Sequence, residues 1–179
     1  MKKRKDLLWS VPVAVREVSE AGRRFDLTAD AQAREAIAAA ASLHSLPRFQ
    51  ATFEVSPEGR EGLRVTGRIS ATVGQTCVVT LEPIENTVEE EVELVFVPSA
   101  VPREFDDGDS PTVPKSEDAP EPLVGGAVDL GAIATEFLIL SIDPYPRAPG
   151  ATFEALAAGD EGGHPFAALA ALKKGQGEQ

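Results

Sequence analysis

Residues 48–73 read RFQATFEVSPEGREGLRVTGRISATV, and this stretch decides the fold. Apolar and polar residues alternate over 49–55 and again over 63–73, and the turn-forming residues 56–59 lie between the two runs. Successive side chains of a strand point to opposite faces of a sheet, so a period of two indicates a half-buried strand. The stretch therefore predicts an antiparallel hairpin with one face on a core and the other in water.

The polar positions of this hairpin include arginines that the alternation places on one side. Guanidinium groups bind phosphates through charge-assisted and bidentate hydrogen bonds, so a basic patch there favours binding to an RNA backbone. The alternative is a solvated face on which the arginines pair with Glu54 and neighbouring acids. The RNA-binding candidates are Arg48, Arg64 and Arg68, joined by Arg23, Arg24 and the lysine-rich residues 2–5.

The flanking sequence supplies the remaining elements. Alternation predicts strands over residues 11–15, 24–27 and 87–97, and Glu89, Glu91 and Glu93 form an acidic outer side of the last one. Helical spacing of apolar residues predicts helices over 31–43, capped by Thr28 or Asp30, and over 130–140, capped by Asp129. Residues 165–174 have the pattern of a short amphipathic helix with a proline in its first turn.

These elements predict the α+β class. Five or so mainly antiparallel strands would form a curved sheet or open barrel, with two packed helices and a short C-terminal helix. The length of 179 residues suits a single domain. Its expected parts are the N-terminal strands, alanine-rich helix and sheet (1–97), a flexible acidic loop (98–126), and a C-terminal helical part with a polar tail (127–179).

The acidic loop is predicted from composition. Residues 98–126 contain six prolines and seven acidic residues, and their only basic residues are Arg103 and Lys115. A segment with so few bulky apolar residues buries too little surface to offset its ordering entropy. We therefore expect no packed structure there.

Charge is distributed unevenly along the chain. The formal net charge is −12, but residues 1–74 carry 12 basic and 9 acidic side chains, whereas residues 75–179 carry 5 and 20. Phosphate binding depends on clustered basic residues. The N-terminal half is therefore the part expected to contact RNA, while the acidic half would solvate the molecule or bind a basic protein.

Cysteine content and hydropathy indicate a cytoplasmic protein without a metal. Cys77 is the single cysteine, which excludes an internal disulfide and fits a reducing compartment. Zinc needs about four ligands, and Cys77, His44 and His164 have no partnered spacing, so no metal and no cofactor are expected. No apolar run approaches the roughly 20 residues that span a bilayer, and residues 1–16 lack a signal-peptide cleavage site, so no membrane association is expected.

Three segments, in this order, resemble those of the YceD family of bacterial proteins. They are the Cys77–Pro83 segment after a long strand, a Val-Asp-Leu sequence at 128–130 that opens a helix carrying Glu136 and ending at Pro144 and Pro146, and a Pro-Phe-Ala-Ala-Leu sequence at 165–169. Many family members have Cys-x-Arg-Cys-Leu in the first segment, whereas Val79 and Thr80 stand in the arginine and second-cysteine positions here. The residues that carry the resemblance are Cys77, Thr80, Leu81, Pro83, Asp129, Leu130, Glu136, Pro144, Pro146, Pro165, Phe166 and Leu169.

The resemblance implies a ribosome-biogenesis factor that supports accumulation of large-subunit (23S) ribosomal RNA, and it does not imply a known active site. We expect the chain to bind that RNA, its precursor or a pre-ribosomal particle. The alternative is an acidic adaptor that binds a basic ribosomal protein and never touches RNA. Neither hypothesis involves a small-molecule substrate.

Enzyme motifs are missing from the sequence. It has no phosphate-binding glycine loop, no Gly-x-Ser-x-Gly elbow and no His-Glu-x-x-His pair. Cys77 ends an alternating strand, where a small inert core residue is expected. We therefore predict a protein that is not an enzyme, and a nuclease or modification enzyme acting on precursor RNA remains the rival hypothesis.

Overall fold

The computed structural model describes residues 7–98 and 120–153. A compact unit spans Met1–Pro149 and contains every element named below; a second unit, Gly150–Gln179, is described only over 150–153, which have no regular secondary structure. The C-terminal helix predicted from Pro165, Phe166 and Leu169 lies outside the described residues.

The described residues form seven strands and two α-helices, with one 3₁₀ turn at Val15–Glu17. The strands are β1 (Pro12–Ala14), β2 (Arg23–Thr28), β3 (Ser45–Glu58), β4 (Gly62–Thr76), β5 (Pro83–Pro98), β6 (Glu121–Leu123) and β7 (Ala127–Asp129). The helices are α1 (Ala31–Ala40) and α2 (Leu130–Ser141). The predicted α+β class, with two helices and a mainly antiparallel sheet, is thereby confirmed.

The strands form two sheets. The larger has the order β2-β3-β4-β5-β6, and all its pairs are antiparallel except β5 with β6, which is parallel. The smaller pairs β1 with β7. Among the described residues the larger sheet is not closed into a barrel, and the predicted curved sheet or open barrel stays a prediction.

The core lies on one face of the larger sheet. Alternate residues of the β3–β4 hairpin are fully buried there, as the alternation predicted, and α1 packs against β3 while α2 packs against β4 and β5. Ile37 of α1 and Leu130 and Leu138 of α2 fill the space between helices and sheet. The Trp9 ring meets Phe49 edge-on, with 5.1 Å between ring centroids. The opposite face of this sheet carries the polar residues.

Both helices begin at the predicted caps. The Asp30 side chain accepts a hydrogen bond from the Ala33 N–H at 2.8 Å, and Asp129 accepts one from the Ala132 N–H at 3.1 Å. Helix α1 ends three residues before the predicted Leu43 because the chain turns at Ser42, whose φ of 56° is left-handed. None of the helices in the described part of the chain is long and apolar enough to cross a membrane.

Part of the segment predicted as an acidic loop forms a strand. Of residues 98–126, the described ones include Pro98 at the end of β5 and Glu121–Leu123, which forms the parallel strand β6 beside it. Leu123 is buried, so a single apolar side chain fixes this strand on the core although the average composition is polar. Residues 99–119 lie outside the described part.

Candidate functional site

The outer face of the larger sheet holds most of the predicted RNA-binding residues. We define the outer face as the side of β2–β5 that points away from α1 and α2. Arg48, Arg64 and Arg68 lie on it together, as the alternation predicted, because the register pairs Arg68 with Thr52 on one side and with Glu91 on the other. Arg24 lies on the same face through its pairing with Glu54.

Arg23 does not belong to this group. It pairs with Val55, whose side chain is in the core, so Arg23 points to the helix-covered side of the sheet. Its guanidinium lies over the Phe25 ring, 4.7 Å from the ring centroid, in a cation–π contact. The prediction that treated Arg23 and Arg24 as one basic surface is wrong because adjacent residues of a strand face opposite ways.

Arg64 is held by two carboxylates. Its Nε donates to Glu58 at 3.0 Å, and one of its terminal nitrogens donates to Glu93 at 2.8 Å. These contacts, with Glu58 the stronger, raise the pKa of Arg64 above its usual value. The side chain is therefore bridged across β3, β4 and β5 rather than free to reach a phosphate.

Arg68 and Arg24 are paired in the same manner. Arg68 donates to Glu91 at 2.9 Å, across the β4–β5 pair. Arg24 lies 3.2 Å from Asp26, two residues along β2. Asp26 also accepts the Thr52 hydroxyl, and the Arg24 bond followed by the Thr52 bond lowers the pKa of Asp26.

Arg48 has only neutral partners among the described residues. It donates to the Gln50 side chain at 3.2 Å and to the Ser70 hydroxyl at 2.9 Å. No described carboxylate forms an ion pair with it within 4.0 Å. Arg48 is therefore the outer-face arginine whose charge is least compensated.

Carboxylates outnumber arginines on the outer face. Along β2–β5 the outward positions carry seven carboxylates and four guanidinium groups, so the face is acidic rather than the basic patch that the hairpin alone predicted. The correction arises from β5, which has glutamates at four outward positions, two of them paired with arginines of β4. The seven carboxylates are those of Asp26, Glu54, Glu58, Glu85, Glu89, Glu91 and Glu93.

Two of the three family-like segments meet at one end of the same sheet. The Val78 N–H donates to the Pro146 carbonyl at 2.9 Å, and Pro146 is buried although Pro144 is exposed. The Cys77 thiol, fully buried, accepts the N–H groups of Ala148 at 3.2 Å and Thr80 at 3.4 Å. These residues thus join the β4–β5 connection to the chain that follows α2.

Hydrogen bonds also set the chemistry of this turn. The N–H of Ala148, then the side chain and N–H of Thr80, lower the pKa of Cys77 to about 6. Leu81 has a left-handed φ of 60° and is 76% exposed, immediately before the turn reaches Pro83 at the start of β5. Among the described residues, no three His, Cys, Asp or Glu side chains come together as a metal site.

Asp129 and Glu136 have different surroundings. One carboxylate oxygen of Asp129 accepts the Val11 N–H at 2.8 Å and the other accepts the Ser10 hydroxyl at 2.5 Å, in addition to the helix cap. Asp129 therefore connects the N-terminal segment to α2, and Leu130 beside it is fully buried. Glu136 is exposed and lines an apolar groove beside Leu140.

A family model described as large ribosomal RNA subunit accumulation protein YceD matches residues 65–173. The chain belongs to the YceD family. The family name implies a role in accumulation of large-subunit ribosomal RNA, and the match runs from β4 through α2 to include all three segments that suggested it. No curated protein and no solved structure matches the chain.

The sequence did not identify which individual carboxylates pair with the outer-face arginines. The solvated-face alternative named Glu54 and neighbouring acids as partners, and the structure uses Glu58, Glu91 and Glu93. The sequence did contain a signal for these partners, because the outward positions 89, 91 and 93 are all glutamates. Only the strand order β3-β4-β5 brings those glutamates beside Arg64 and Arg68.

Proposed function

We propose that this chain supports large-subunit ribosomal RNA accumulation as a non-enzymatic adaptor whose outer face binds a basic protein of the large-subunit precursor. The observation that carries the proposal is the excess of carboxylates on the outer face, together with the pairing of Arg24, Arg64 and Arg68 to them. An acidic surface attracts a basic partner and steers its approach. Binding would take place in the cytoplasm, without cofactor or small-molecule substrate.

Direct RNA contact is less favoured for this face. A phosphate approaching Arg64 would have to displace Glu58 and Glu93 while meeting repulsion from Glu54, which forms no ion pair among the described residues. Arginines already paired with carboxylates neutralise few phosphates, so few counterions are released from the RNA and the main source of affinity for a polyphosphate is lost. The excess of acid therefore supports the protein partner over the RNA partner.

A second candidate is direct binding to large-subunit ribosomal RNA. It is favoured by Arg48, which is held only by neutral groups among the described residues, and by the basic residues 2–5. A contact of this kind would use the end of the outer face where β3 begins, because Arg48 lies there. Reversing the charge of Arg48 distinguishes it from the adaptor.

The absence of catalysis is part of the proposal. Cys77, whose pKa is lowered to about 6, is the described side chain closest in chemistry to a nucleophile. Its partners are main-chain N–H groups and a threonine rather than a general base, and it is buried. An account based on binding therefore fits these surroundings better than one based on reaction.

Charge reversal on β5 is expected to abolish association with large-subunit precursors. The change is Glu85→Lys together with Glu89→Lys, at exposed outward positions that form no ion pair among the described residues. In bacterial cells that carry only the variant, the chain should leave the precursor fractions of a sucrose gradient, and 23S ribosomal RNA should fall to the level of cells without the chain. Repulsion of a basic partner is the reason.

The control carries the same charge change elsewhere. Glu20→Lys with Glu35→Lys alters two exposed residues outside the outer face and should leave precursor association unchanged. Arg48→Glu should also leave it unchanged. Loss of association in the Arg48 variant with retention in the β5 variant would replace the adaptor by the RNA-binding candidate.

A further inference from the structure

Within the described residues, strand β5 has an open edge over most of its length. Strand β4 pairs with it from Pro83 to Phe96 on one side. On the other side β6 covers only Phe96–Pro98, and no other strand within residues 7–98 and 120–153 pairs with β5. A strand edge with free N–H and C=O groups is a template for pairing with another chain.

The register indicates which backbone groups of β5 face this edge. The Phe49 carbonyl of β3 accepts the Ala29 N–H at 3.0 Å on the β2 side, so odd-numbered residues of β3 point their backbone groups toward β2. Pro57, which has no N–H, fits the same parity. Even-numbered residues of β3 then bond to β4, odd-numbered residues of β4 bond to β5, and the pairing proceeds without a register shift along β4–β5.

The odd-numbered residues of β5 are therefore the ones whose N–H and C=O groups are directed away from β4. These same residues point their side chains to the outer face. Between residues 85 and 93, all of the odd positions except Thr87 are glutamates. The same four residues therefore carry both the backbone groups that face the open edge and the negative side chains: Glu85, Glu89, Glu91 and Glu93.

We propose that the open edge of β5 binds an extended lysine- or arginine-rich segment of a protein partner by strand addition. The proposal rests on the proposed function and specifies how its acidic face is used. In an added strand, the Cβ atoms of alternate residues lie about 4.5–5.5 Å from the Cβ atoms of the opposing β5 residues, so opposite charges on these side chains attract. Main-chain bonds would give affinity, and the glutamates would select a basic sequence.

A second copy of this chain fits the edge poorly. Pairing of two β5 edges would place two rows of glutamates side by side, and like charges on opposing strand positions repel. RNA has no extended amide backbone to pair with the edge. Charge complementarity thus selects a basic polypeptide among the possible occupants.

The test uses a ten-residue peptide of alternating lysine and valine, with blocked ends, titrated into the full chain. The peptide should bind, and methylating one alternate set of its backbone nitrogens should weaken binding by at least about tenfold, because that set donates to β5. Methylation of the lysine nitrogens blocks an antiparallel addition, and methylation of the valine nitrogens blocks a parallel one. Charge is identical in all three peptides, so equal affinity for all three would overturn strand addition.

A β5 variant provides the complementary test. Thr87→Pro removes an exposed, outward N–H and keeps the bonds of β5 to β4, so peptide affinity should fall by about tenfold while thermal unfolding shows a folded chain. Thr87→Ala keeps the N–H and should bind as the unaltered chain does. Unchanged binding by the proline variant would overturn the proposal.

The outcomes separate strand addition from the adaptor function. If the peptide binds in a salt-dependent manner that Glu85→Lys with Glu89→Lys abolishes but methylation and Thr87→Pro do not, strand addition fails and the acidic adaptor stands. If the peptide does not bind, strand addition fails, and precursor association in cells decides the adaptor separately. If the chain is a dimer that Thr87→Pro converts to a monomer, the edge holds a second copy and the proposal is overturned.

Discussion

Gly67→Ala is expected to destabilise the chain by about 3 kcal/mol, at the upper end of the range for overpacked cores. Gly67 lies in β4 opposite Phe53, whose ring fills the space that a side chain would occupy. An added Cβ would stand 2.1 Å from the Thr52 carbonyl oxygen and 2.7 Å from Cδ1 of Phe53. The first of these is backbone within a paired strand, so it cannot move aside without breaking the β3–β4 register.

Urea unfolding followed by circular dichroism measures this loss. Gly59→Ala is the matched control: apart from the two chain neighbours, no atom would lie within 4 Å of an added Cβ, and the φ of 63° costs about 1 kcal/mol for a non-glycine residue. The Gly67 variant should therefore unfold at a clearly lower urea concentration than the Gly59 variant. A free energy of unfolding within about 0.5 kcal/mol of the unaltered chain would contradict the close packing of Phe53 over Gly67.

Asp129→Ala is expected to cost about 2–3 kcal/mol, since the helix cap contributes about 1 kcal/mol and the part-buried hydrogen bond from the Val11 N–H about 1.5 kcal/mol, whereas the solvent-exposed bond from Ser10 adds little. The carboxylate accepts from Ala132, Val11 and Ser10. Its removal leaves the first turn of α2 uncapped and detaches the N-terminal segment from it. Thermal unfolding should show the loss, together with faster hydrogen exchange at Val11.

Asp129→Asn separates a structural from a functional role. The amide keeps one oxygen as an acceptor for the cap, so this variant should lose less than half as much stability as the alanine variant. Both variants should support ribosomal RNA accumulation in proportion to their folded fraction. A stable Asp129→Asn chain that fails to support accumulation would show that the carboxylate contacts a partner.

The alternation of residues 48–73 was sufficient to predict the hairpin because each strand buries one face against a single core. Phe49, Phe53 and Ile69 are buried where a period of two places them. The same reasoning could not find β6. Only one of its three side chains, that of Leu123, is buried. The strand forms by pairing with the end of β5, which lies more than twenty residues earlier in the sequence.

The site was predictable in its positions and not in its charge. A period of two within each strand brought Arg48, Arg64 and Arg68 to one face, but the electrostatics depend on which strand lies beside which. Glu91 and Glu93 neutralise arginines because β5 is the neighbour of β4, and this order is a property of the whole sheet. Likewise, the contact between Cys77 and Ala148 joins residues 71 positions apart, which no local pattern encodes.

The partner of the outer face can be identified directly with a photo-crosslinking amino acid at residue 66, in cells. Thr66 lies on the outer face between Glu54 and Glu93, at the centre of the acidic excess. The same probe at Glu35, an exposed position of α1, controls for incidental contacts. The adaptor account predicts that the residue-66 probe attaches to a basic protein of the large-subunit precursor; attachment to ribosomal RNA, with no protein captured, would contradict it.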